Sequence, residues 1–90
     1  MGKGIDMYNY YEEKHKMFTE VGQVSFLKVR DAANRLLEEA GAFKMYCVLK
    51  GISGDSWELM SYVDRLVELG EIREITGEEV AGQDRVFVSA

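Results

Sequence analysis

Apolar residues recur along this chain with two different periods, and glycines mark where one gives way to the next. From Ser25 to Ala40 the spacing is helical: Phe26, Val29, Ala32, Ala33, Leu36, Leu37 and Ala40 fall on one side, and Lys28, Asp31, Arg35, Glu38 and Glu39 on the other. Gly41 is placed to stop that helix. A second helix is predicted from about Asp55 to Gly70. Asp55 caps it, with Glu58 three residues on, and Leu59, Met60, Val63, Leu66 and Val67 form its core stripe. Gly51-Ile52-Ser53-Gly54 makes a tight turn before it. The stretch Phe43 to Lys50 fits two patterns, because Phe43, Met45, Cys47 and Leu49 alternate while Ala42, Met45, Val48 and Leu49 share a helical face. The helix is the reading adopted.

Upstream, residues 1–6 read as a frayed tail, and Tyr8 to Glu20 as a helix with Tyr11, Met17, Phe18 and Val21 near one side, interrupted at Gly22. Past Gly70 the texture changes. Glu71 to Thr76 and Arg85 to Ser89 are rich in Ile, Val and Phe and bracket a long polar connection, which predicts a β-hairpin. The expected architecture is therefore α+β and mostly helical, with an N-terminal tail and helical segment over residues 1–22 and one domain over 23–90.

Ninety residues suffice for one hydrophobic core and not for two. Apolar residues make up 47% of the chain, far above the range of disordered segments. No apolar run approaches the ~20 residues of a membrane span, and the N-terminus lacks the apolar core of a signal peptide, so a cytoplasmic protein without a membrane partner is expected. The single cysteine, Cys47, has no internal disulfide partner and reads as a small buried hydrophobe. Charge divides the chain: residues 1–50 carry a net +1, and residues 51–90 a net −6. An acidic C-terminal half repels nucleic acid unless its three arginines are focused on one patch.

Catalytic and metal chemistry find little support. The only histidine, His15, lies in Glu12-Glu13-Lys14-His15-Lys16, where helical pairing of Glu12 with Lys16 accounts for the charges. Ser53 lacks the Gly-x-Ser-x-Gly spacing of a nucleophile elbow, and one Cys with one His makes no zinc set. Gly51 and Gly54 lead into Asp55 rather than a lysine, so no phosphate-cradling loop is present. The expectation is a non-enzymatic protein with no cofactor.

Gly51-Ile52-Ser53, together with the run Asp64-Arg65-Leu66-Val67-Glu68-Leu69-Gly70-Glu71-Ile72, resembles the winged helix-turn-helix family of DNA-associated proteins. The resemblance covers roughly residues 25–89 and departs in two places. The span from Gly51 to Asp64 is about two residues longer than usual, and the family's short strand between the first two helices has no clear sequence here. The resemblance implies a C-terminal β-hairpin wing and a small prokaryotic or phage-type regulator binding double-stranded DNA. On that reading the candidate contacts are Lys44, Lys50, Ser53, Ser56, Ser61, Arg65, Arg73 and Arg85.

The predicted long helix presents Trp57, Glu58, Ser61, Asp64, Arg65 and Glu68 opposite its core stripe, with Tyr62 at the edge. Three acids and one arginine are poor chemistry for base edges and phosphates. The second reading is accordingly a protein-interaction winged helix that docks a basic partner through Trp57, Glu58, Tyr62, Glu78 and Glu79. Trp57 is expected to pack beneath the aromatics of residues 8–18. The apolar surplus of residues 8–21 exceeds what one short helix needs, which raises a homodimer through that segment.

Overall fold

The computed structural model describes residues 8–80 and 82–90. The expected tail at residues 1–6 lies outside them, as does Ala81 in the hairpin connection. The chain begins with a short helix α1 (Tyr10–Glu13), capped by the Asn9 side chain, which accepts from the Tyr11 amide at 2.9 Å. It tightens into a 3-10 turn over Lys14–Phe18 and then enters the long helix α2 (Glu20–Ala40).

The break between the first two helices falls at Thr19, not at Gly22. Thr19 has extended backbone, and its hydroxyl caps α2 by accepting from the Gly22 amide at 3.0 Å while donating to the Lys16 carbonyl. Gly22 lies inside α2 because the 3-10 turn folds back onto it. A Cβ there would stand 2.2 Å from the Lys16 carbonyl oxygen and 2.6 Å from Met17 Cα. Glycine is required at this position for close approach of two backbones, and the helix tolerates it. Gly41, in the left-handed region at φ 79°, ends α2 as expected, its N–H donating to the Leu37 carbonyl.

The ambiguous stretch after Gly41 divides between the two patterns. Ala42–Lys44 form a strand, β1, and Met45–Leu49 a one-turn helix, α3. The helix expected over 43–50 is therefore too long at its start. The strand owes its existence to a partner far along the chain: β1 pairs antiparallel with β3 (Val86–Ser89), setting Phe43 opposite Phe87 with ring centroids 5.4 Å apart. The switch into α3 is fixed where the Met45 amide donates to the Arg85 carbonyl at 2.7 Å. Cys47, expected inside, is exposed, because α3 turns Met45, Val48 and Leu49 to the core.

Helix α4 (Ser56–Glu68) starts where Asp55 accepts from the Glu58 amide at 3.0 Å. It ends in a Schellman motif at Gly70, φ 78°, where the Gly70 amide donates to the Val67 carbonyl and the Glu71 amide to the Leu66 carbonyl. Strand β2 (Ile72–Glu74) follows and pairs antiparallel with β3, giving a three-stranded sheet in the order β1-β3-β2. The predicted hairpin is present, and β1 joins it from the other edge.

One face of this sheet carries Phe43, Phe87 and Ile72 into the core, against Phe26 and Val29 of α2, Met45 and Val48 of α3, and Leu59, Val63 and Leu66 of α4. Each such side chain contributes about 1.5–3 kcal/mol by its removal from water. The molecule is α+β, and among the described residues no helix is long and apolar enough to cross a membrane.

Candidate functional site

The outward side of α4, which sequence reasoning assigns to a partner, is covered by the chain's own N-terminal segment. Residues 8–18 cross it and pack on both α2 and α4. The Tyr8 hydroxyl donates to Asp64 Oδ2 at 2.7 Å, and the Tyr10 hydroxyl to Glu68 Oε1 at 2.6 Å. Lys14 Nζ donates to Glu68 Oε2 at 2.9 Å and lies 5.5 Å from the Tyr10 ring centre. Met17 is wholly buried, and Phe18 stacks under the Arg65 guanidinium at 5.6 Å. Tyrosine suits this task, since the ring covers apolar surface while the hydroxyl satisfies a carboxylate.

Under this cover the helix's polar residues turn to one another. Ser61 is fully buried and donates to the Glu58 carbonyl, three residues back. The Tyr62 ring is also fully buried, edge-on to Phe26, with its hydroxyl donating to the Glu58 carboxylate. Arg65 donates to Glu68 at 2.8 Å. Glu68 accepts from Tyr10, Lys14 and Arg65, and these hydrogen bonds lower its pKa to about 2.

A second, deeper cluster joins α4 to the sheet. Arg85 is buried, and its guanidinium grips Asp64 through both terminal nitrogens, at 2.7 and 3.1 Å. The same group grips Glu74 through Nε at 3.1 Å and Nη2 at 2.9 Å, with its plane 5.2 Å from the Phe87 ring centre. Burial alone would lower the Arg85 pKa, but the hydrogen bonds to Asp64 and Glu74 outweigh it and raise the value. Thr76 donates to Glu74 at 2.6 Å. Asp64 is the shared member, gripped by Arg85 from the sheet side and by Tyr8 from the N-terminal side. Burial, and next the Asp64 charge, push the Tyr8 hydroxyl pKa up.

A cleft of about 400 Å³ opens between Tyr8, Tyr10, Tyr11, Asp64, Glu74 and Arg85. Its carboxylates are engaged by Arg85, Lys14 and the tyrosines, which makes it a clasp between elements. Among the described residues no three His, Cys, Asp or Glu side chains converge as metal ligands.

The structure thus sorts the sequence-derived candidates. Lys44, Lys50, Ser53, Ser56 and Arg73 are exposed, with Lys44 opposite Val86 and Arg73 opposite Val88 on the outer face of the sheet. Ser61 and Arg85 are buried and engaged within the fold, and Arg65 is half-buried and paired with Glu68. Of the protein-docking set, Glu78 and Glu79 are exposed, Glu58 is half-buried and Tyr62 is inaccessible.

Trp57 is 37% exposed, and none of the ring or hydrogen-bond contacts among the described residues involves it. The hydrogen bonds and ring contact that the aromatics of 8–18 make with α4 fall on Asp64, Arg65 and Glu68, two to three turns further along the helix. Near the N-terminus Lys16 pairs with Glu13 at 2.8 Å in place of Glu12.

Sequence reasoning missed two linked groups, Tyr10 and Lys14 on Glu68, and Tyr8 with Asp64, Arg85 and Glu74. The surplus of aromatics at 8–18 was the signal available, and only the fold tells which face they meet. Comparison with family models, with curated proteins and with solved structures finds no match for this chain.

Proposed function

We propose that this chain is a non-enzymatic winged-helix domain that docks a basic protein partner. The order helix, strand, helix, helix, hairpin, with β1 pairing against the hairpin, supports the winged-helix reading. In that architecture α4 occupies the place of the DNA-reading helix and the β2–β3 connection that of the wing. One observation carries the choice of partner: of the three arginines on α4 and the hairpin, Arg65 and Arg85 are held by carboxylates of the same fold, which leaves Arg73 alone without a carboxylate partner among the described residues. Phosphate binding would have to break those pairs. What stays exposed on the wing is acidic, namely Glu78, Glu79 and Asp84, and Trp57 with Asp55 is exposed at the first turn of α4. Acids attract a basic partner, and an accessible Trp is the residue type enriched at binding hot spots.

DNA association, with transcription regulation of a prokaryotic or phage type and a cytoplasmic location, is the second reading. The exposed Lys44, Lys50, Ser53, Ser56 and Arg73 favour it. Titrating the protein in parallel against a labelled Lys/Arg-rich peptide and a labelled random duplex, over a series of salt concentrations, separates the two. The docking reading expects peptide binding that Trp57→Ala and Glu78→Gln/Glu79→Gln weaken, with no duplex binding even at low salt. Salt-sensitive micromolar duplex binding that is lost in Lys44→Ala/Lys50→Ala/Arg73→Ala would overturn it in favour of DNA.

A further inference from the structure

Helix α2 leaves an apolar stripe bare along its first two turns. Val21, Val24 and Leu27 recur at intervals of three on the side away from the core, and they are 75%, 56% and 50% exposed. Residues three apart are neighbours on a helix surface, so these side chains form one strip rather than scattered exposures. The rest of the same face, from Asp31 onward, is polar and needs no cover.

The charges beside the strip identify its occupant. Glu20 and Lys28 lie four residues before and four after Val24, both exposed, and neither forms an ion pair among the described residues. In the commonest class of helix crossing the i±4 rows of two helices lie side by side. The row through Val24 is Glu20, Val24, Lys28. When this row meets a copy of itself running the other way, Val24 faces Val24 at the twofold axis. Glu20 of each copy then stands beside Lys28 of the other. A parallel arrangement would oppose like charges, and a surface of this kind is self-complementary only under twofold symmetry.

We propose that the N-terminal half of α2 is a homodimer interface, in which two copies cross antiparallel at Val24 with reciprocal Glu20–Lys28 pairs. The apolar strip supplies the attraction, and the charges set orientation and register, since exposed ion pairs add little affinity. The surface is distinct from both partner readings above, because Trp57, the wing and the exposed lysines 44 and 50 take no part in it.

Sedimentation velocity over a concentration series tests this, with circular dichroism confirming that each variant is folded. The expected result is a concentration-dependent dimer for the wild type, weakened at least about tenfold in Glu20→Lys, in Lys28→Glu and in Val24→Glu. An equimolar mixture of Glu20→Lys with Lys28→Glu restores association, because each copy then meets opposite charge at both positions. So does the double variant Glu20→Lys/Lys28→Glu. A wild type that stays monomeric at the highest concentration overturns the proposal and leaves the strip to another partner. A dimer indifferent to these substitutions, or a mixture that stays monomeric, overturns it equally.

Discussion

Helices α2 and α4 manage their outward faces in opposite ways. The outer side of α4 is polar, with Ser61, Asp64, Arg65 and Glu68, yet it is covered by residues 8–18. The outer side of early α2 is apolar, with Val21, Val24 and Leu27, yet it is bare. Hydrophobicity of a face does not by itself decide whether the fold covers it. What decides here is whether the covering segment brings partners for the groups beneath. Tyr8 brings a donor to Asp64, and Tyr10 and Lys14 bring donors to Glu68, so burial leaves no polar group on that face unsatisfied. The strip on α2 needs only apolar cover, which the proposed second copy would supply.

The largest break in this contrast comes from removing the cation beneath α4. Arg85→Met leaves the Asp64 and Glu74 carboxylates facing each other in a partly buried site, and urea unfolding is expected to register a loss of about 3–5 kcal/mol. A loss below about 1 kcal/mol would mean that the double fork does not hold the sheet to α4. Next is Gly22→Ala, which drives a methyl into the Lys16 backbone and is expected to cost about 1–3 kcal/mol. Hydrogen exchange should show the loss of protection concentrated at residues 14–18 and in the first turn of α2. Uniform loss over the core would place the strain elsewhere.

The docked segment should also respond to pH on both sides. Glu68 titrates at about 2 in the folded protein against an ordinary 4.5, so its contribution is present above the ordinary value and is lost as pH falls from there towards 2. Tyr8 and Tyr10 are raised, by burial first and by their carboxylate partners next. Their contribution is complete below the ordinary tyrosine value of 10.0 and declines as pH rises beyond it. Tyrosinate absorbance should therefore show two late-titrating hydroxyls besides that of Tyr62, also raised, and Tyr10→Phe should remove one. The smallest expected effect is at Trp57: it is already 37% exposed, so iodide quenching of its emission should change little between the wild type and Gly22→Ala.

The elements with local causes were readable from the chain. The Asp55 cap, the Gly41 and Gly70 stops and the stripe Leu59, Met60, Val63 and Leu66 are specified by neighbours within a turn or two, and they stand where expected. What was not readable depends on remote partners. Ala42–Lys44 became a strand because β3 offers an edge some forty residues on, and Gly22 stayed helical because a separate turn packs against it. Arg85 read as a free basic residue because nothing in its own neighbourhood announces Asp64, twenty-one positions away. The site was legible as a list of polar residues on one helix face, and its burial was not, since the covering aromatics signal surplus without signalling direction.

The central claim is that residues 8–18 occupy the outward face of α4. Proton–proton Overhauser contacts on the full chain near neutral pH test it most directly. The account predicts cross-peaks from the Tyr8 ring to the Asp64 β protons and from the Phe18 ring to the Arg65 side chain, together with slow amide exchange at Met17. Absence of both sets of cross-peaks, with fast exchange throughout residues 10–18, would leave α4 open and contradict it.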